Sequence, residues 1–183
     1  MIVSGLVAAL GLTLRAHCSG EISWSGAREG SLRAVSKKRS LIAMTDAERE
    51  AFLAEGRTLN LASLSPNGRP HLVAMWYCLM DDAIWCWTYA KSQKALNLRR
   101  DPRVTGLIEM GERYEELRGL TLWADAQITD DPTQVLLVGR ELFARYQPGL
   151  VEDFLGSAPK RIAFSLRVDE YASWDHRKLN GRY

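Results

Sequence analysis

Apolar and polar positions change period several times along the chain, and each change marks an element. From residue 45 the pattern opens with Thr45-x-x-Glu48, the reciprocal cap of a helix N-terminus, and continues to Gly56 with Phe52 and Leu53 as the apolar side. A short opening helix is predicted. Residues 58–64 and the apolar, aromatic run 71–80 flank Pro66-Asn67-Gly68-Arg69, and Asn-Gly between two strand-like runs predicts a hairpin. Asp81-Asp82 interrupts the chain again before residues 84–89, which are rich in aromatic strand formers. This first part therefore reads as three antiparallel strands joined by tight turns.

The period then becomes helical over residues 91–100, with Ser92 as N-cap and Asp101-Pro102 as stop. Residues 104–109 and 120–128 read as two further strands, separated by the charged segment 111–118. Asp130-Asp131-Pro132 opens a helix to about Tyr146, with Pro132 suited to the first turn. Residues 147–159 hold Gly, Pro and a short apolar group; residues 162–168 form the last strand before a tail from 174 to 183. Six strands joined mostly by hairpins, with two or three helices between them, predict a mainly β, α+β protein. Its antiparallel sheet should close, or nearly close, into a barrel that hides its edges. A parallel doubly wound sheet would need regular βα alternation, which is missing.

Composition adds one division. The 183 residues are 46% hydrophobic and 25% charged, as expected of an ordinary domain with a sizeable core. The net charge of +2 conceals two unlike parts. Residues 1–43 carry six positive residues (Arg15, Arg28, Arg33, Lys37, Lys38, Arg39) against two negative, a basic leader; residues 44–183 carry 18 against 20. A mildly acidic body argues against nucleic acid as partner. The leader begins with an apolar run over residues 2–14, too short to span a bilayer comfortably and without the basic start of a secretory signal. It is expected to be a disordered leader or an upstream extension, with Met44 as the original start and residues 44–183 as the domain. No membrane association is expected.

Cys18, Cys78 and Cys86 show neither CxxC nor Cys/His spacing, so the sequence supports neither a zinc site nor a disulfide framework. Cys78 and Cys86 sit in apolar runs as small buried hydrophobes, and a reducing, cytoplasmic setting is expected. Hydrolase, zincin, Walker and dinucleotide-loop motifs are missing as well. The informative segment is Lys91-Ser92-x-Lys94-x-x-Asn97-Leu98-Arg99-Arg100-Asp101-Pro102-Arg103. Two amines, a hydroxyl and free backbone N–H groups meet at a helix N-terminus, where an anion is favoured. The same residues suit a solvated basic helix with Arg99 and Arg100 complementing its C-terminal dipole.

That segment, preceded by Gly68-Arg69-Pro70-His71 and Met75-Trp76-Tyr77, resembles the flavin and deazaflavin oxidoreductases related to pyridoxamine 5'-phosphate oxidase. Glu116-Leu117-Arg118-Gly119 and Ser173-Trp174-Asp175-His176-Arg177-Lys178-Leu179 are similar too, so the resemblance runs over residues 44–179. It implies a six-stranded split β-barrel of the FMN-binding type, acting as a homodimer with cofactor clefts at the interface. The implied cofactor is coenzyme F420, with FMN as the alternative. The implied activity is hydride transfer from reduced F420 to a small electron-poor acceptor; the alternatives are an FMN-dependent oxidase or reductase, or a flavin, haem or tetrapyrrole carrier without turnover. Lys94 and Ser92 would contact the cofactor phosphate, supported by Lys91, Asn97 and Arg99. Met75, Trp76 and Tyr77 would lie along the ring system, with Tyr77 a guess for proton donor. Tyr114 and Trp174 would close the cleft from the other subunit. Two departures stand out: Ala74 where relatives often have Pro, and no arginine-rich pattern for a pyridoxine phosphate substrate.

Overall fold

The computed structural model describes residues 39–150 and 154–180, and residues 1–38 of the basic leader lie outside the described residues. Helix α1, Asp46–Glu55, starts at the expected capping box, in which Thr45 Oγ1 accepts from Glu48 N and a Glu48 carboxylate oxygen accepts from Thr45 N at 2.7 Å. Phe52 and Leu53 turn its apolar side into the core. Strands β1 (Leu59–Leu64) and β2 (Pro70–Met75) form the Asn-Gly hairpin, and Gly68 supplies the left-handed residue (φ 79°) that the turn requires. Strands β3 (Cys78–Met80) and β4 (Ala83–Tyr89) form a second hairpin, turning on Asp81 and Asp82 with φ 50° and 57°. Helix α2, Gln93–Arg100, is followed by β5 (Arg103–Met110), β6 (Arg118–Thr129), α3 (Pro132–Tyr146) and β7 (Arg161–Asp175).

All pairings are antiparallel, in the order β2-β1-β5-β6-β7-β4-β3. The two edge strands, β2 and β3, are consecutive in the chain and only Trp76 and Tyr77 separate them. Opposite edges joined by two residues force the sheet to curl on itself, while β2 and β3 do not pair. The result is a split barrel. Its inside is filled by alternate residues of the strands, among them Leu59, Leu61, Ile108, Leu120, Leu122 and Phe164. A second apolar cluster lies outside, where Val135, Val138, Leu142 and Phe143 of α3 cover Trp87 and Ala163.

Among the described residues the strand count is therefore seven rather than six. The apolar run 71–80 reads as one strand because its hydrophobicity is continuous, but its hydrogen bonding is not. At Trp76 and Tyr77 the backbone leaves the β1 ladder, and the Tyr146 side chain of α3 replaces it: Tyr77 N donates to Tyr146 Oη (3.3 Å), which lies 3.0 Å from Tyr77 O. The last strand is also longer than residues 162–168. It runs past an irregularity opposite Trp123 and Ala124 to Asp175, so that Trp174 belongs to the sheet, paired with Gly119. Its second half is half-exposed and polar, which hides it from a hydrophobicity pattern.

Candidate functional site

Strand β4 ends at Tyr89 in a tight turn, in which Ser92 N donates to Tyr89 O (3.0 Å) and Ala90 N to Lys160 O (3.0 Å). Ser92 caps α2, its Oγ accepting from Ala95 N at 3.3 Å. The N–H groups of the first turn, at Gln93 and Lys94, have no carbonyl partner within the helix. Over this turn folds the Lys94 side chain, which donates from Nζ to Thr88 Oγ1 (3.0 Å); Thr88 Oγ1 is in turn 3.2 Å from Ser92 Oγ. An amine, two hydroxyls and backbone donors thus converge. Lys94 is half-buried and has no ion pair among the described residues. Burial lowers its pKa below the ordinary lysine value; the nearby Cys86 opposes this and the Arg161 charge adds to it. A half-buried cation without a counter-charge is costly unless an anion joins it. The donor set therefore fits a phosphate.

The other expected contacts separate into groups. Lys91 is exposed on the turn itself. Asn97 is fully buried and donates from Nδ2 to Ser63 Oγ (3.1 Å) while accepting from Gln93 Nε2 (2.9 Å), so it ties α2 to β1 and supports the cradle from beneath. Arg99 is exposed in the last turn of α2, about 10 Å along the axis from the cap. Met75 is half-exposed at the end of β2. Trp76 is 40% exposed and stacks on Tyr146, centroids 4.6 Å apart and planes at 7°. Tyr77 is fully buried, with its hydroxyl 2.6 Å from Leu53 O and 3.0 Å from Gly56 O; burial raises its pKa strongly. A phenol so committed does not exchange a proton with a cleft, so only the backbone of Tyr77 is available there.

Tyr114 and Trp174 lie elsewhere in the protomer. Tyr114 is exposed, its ring 4.6 Å from that of His176, and His176 Nδ1 is 2.9 Å from Tyr114 O. Trp174 lies over Gly119 so closely that a Cβ there would stand 2.0 Å from its ring. Arg161 opens β7, beside Lys94, whereas Trp174 is near the far end of the same strand, on the order of 40 Å away along it. One protomer therefore does not bring Lys94 and Trp174 together.

The pyridoxamine 5'-phosphate oxidase sequence profile matches residues 45–175. The chain belongs to that family. A conserved hypothetical protein from Mycobacterium tuberculosis is 40% identical, with 79% of this chain and 93% of that one covered and a TM-score of 0.72. Two more distant structures share the fold, each 22% identical: an F420 reductase (67% and 94% covered, TM-score 0.54) and the haem storage protein HutZ from Vibrio cholerae (68% and 90%, TM-score 0.57). No curated protein matches significantly. Among the described residues no helix is long and apolar enough to cross a membrane, and no His/Cys/Asp/Glu group could hold a metal.

Two residues of this family member's cradle were not legible in its motifs. Thr88 reads as a strand residue, and only its inward direction places its hydroxyl between Ser92 and Lys94. Arg161 is distant in sequence and arrives through the cross-strand pair Tyr89↔Arg161, with its guanidinium 3.9 Å from the Tyr89 ring centre and 4.2 Å from that of Trp87. No local spacing signals that pairing.

Proposed function

We propose that this chain is an oxidoreductase that binds coenzyme F420 at the α2 cradle and serves hydride transfer to a small electron-poor organic acceptor. The observation that carries the reading is Lys94: a half-buried ammonium without an acidic partner, at a helix N-terminus beside two hydroxyls. Reduced F420, when bound, supplies the hydride. The protein's own part is to hold and to exclude. Lys94 Nζ, Ser92 Oγ and the first-turn N–H groups bind the phosphate, with Lys91 at the rim and Asn97 fixing the helix. Met75, Trp76 and the Tyr77 backbone line the ring, and Trp76 is held in orientation by its stack on Tyr146. Tyr114 and Trp174 of a second copy close the cleft in a homodimer, and solvent supplies the proton, since Tyr77 is committed inside the barrel.

FMN is the second reading, and a specific observation favours it. The acidic tail of F420 asks for more cations, yet Arg100 is used on Leu64 O and Arg103 pairs with Asp101 at 2.7 Å, which leaves Arg99 as the uncommitted arginine of the three. The test is turnover. Purified protein is given reduced F420 with quinones, enones and tetrapyrroles in turn, and reoxidation of the coenzyme is followed by absorbance. Acceptor-dependent reoxidation is expected; binding without reoxidation by any acceptor would make the protein a carrier instead.

A further inference from the structure

Beside the cradle, on the outer face of β4, is a recess of about 260 Å³ walled by Trp76, Trp87, Leu142, Phe143 and Phe154, with Arg161 at its side. Phe143 organises it. Its face stacks on Phe154 (4.2 Å, 12°), while Trp76 and Trp87 meet it edge-on at 5.9 and 5.8 Å. The walls are aromatic, yet both polar groups among them are donors. Arg161 donates from Nε to Ser157 Oγ (2.9 Å), is half-buried, and has no carboxylate within ion-pair distance among the described residues. Burial lowers its pKa from the ordinary arginine value. The Trp87 indole Nε1 is buried without an acceptor. A protein seldom leaves a buried indole N–H without an acceptor, and the half-buried guanidinium, held by one serine hydroxyl and two rings, still lacks a counter-charge.

We propose that this recess is a binding site for a small aromatic carboxylate, whose ring lies among Trp76, Phe143 and Phe154 and whose carboxylate takes the Arg161 guanidinium. The volume admits a single six-membered ring with its carboxylate rather than a drug-sized molecule. Arg161 already lies over the Trp87 and Tyr89 rings, which fixes its plane and leaves less freedom to lose when an anion arrives. Arg161 also stands beside the Lys94 cradle, so binding in the recess is tested without cofactor.

The test uses the full chain without cofactor, with benzoate as probe and tryptophan fluorescence and calorimetry as readouts. Benzoate is expected to bind saturably, and uncharged benzamide and non-aromatic cyclohexanecarboxylate at least about tenfold more weakly, the loss expected when a charged hydrogen bond or a ring contact is removed. Arg161→Gln should lose a similar factor and Arg161→Lys less. Phe154→Ala, at an exposed ring, should weaken benzoate without altering thermal unfolding. Benzamide binding as tightly as benzoate, or an unchanged benzoate affinity in a folded Arg161→Gln variant, would overturn the proposal and make Arg161 a cover for Trp87 and Tyr89. The benzamide comparison is made on the wild-type chain, so it decides the matter even if the arginine variants do not fold.

Discussion

Lys94 is the residue on which the functional reading turns, and its ionisation gives a directional test. Burial holds its pKa below 10.5, whereas a bound phosphate would favour the protonated form and raise it. Anion affinity should therefore be full below the lowered pKa of the free protein and decline as pH rises through the higher pKa of the complex. Affinity measured by titration from pH 7 upward should show this decline in wild type and lose it in Lys94→Met. A decline of equal size in Lys94→Met would assign it to another group. The cysteines give a second residue-scale test. Cys78 is 3% exposed and Cys86 fully buried, and burial pushes the Cys78 thiol up to about 12. Neither should react with iodoacetamide at pH 8 in the native protein, and both should react after unfolding; mass spectrometry of the two peptides reads the outcome.

At the scale of elements, the link between β2 and β3 decides the architecture, and it is also where sequence reasoning fell short. Strand propensity continues through Trp76 and Tyr77, so nothing local marks the point at which the chain changes sheet edge. The partner that satisfies that backbone, Tyr146, is 69 residues away. Tyr146→Phe should leave Tyr77 N without its acceptor and remove one wall contact of the link, lowering stability by about 1–3 kcal/mol. Chemical denaturation measures it, and a change below about 0.5 kcal/mol would show that the ladder strands alone hold the crossing. The capped helices were legible for the opposite reason. Thr45 with Glu48, Ser92, and Asp131 before Pro132 are caps made within four residues of sequence, and all three start helices where expected. The cradle was half legible: Ser92 and Lys94 lie in one local motif, whereas Thr88 and Arg161 enter through strand direction and cross-strand pairing.

For the whole molecule, Lys94 lies beside the start of β7 and Trp174 near its end, so the proposed contact of Trp174 with the cofactor requires a second copy. If Trp174 acts across a dimer interface, chains carrying Lys94→Ala and Trp174→Ala should each bind cofactor weakly as homodimers. The mixed dimer should regain one wild-type site, since one half-site then holds Lys94 from one chain and Trp174 from the other. Calorimetric stoichiometry of refolded mixtures reads this directly; no regained site would place both residues in separate roles. The most direct measurement is parallel titration of the apo protein and its Lys94→Ala variant with F420 and with FMN. F420 is expected to bind the wild type, and the variant to lose about 1–3 kcal/mol of affinity, the range for a charged hydrogen bond. Tight FMN binding without F420 binding, or unchanged affinity in the variant, would contradict this.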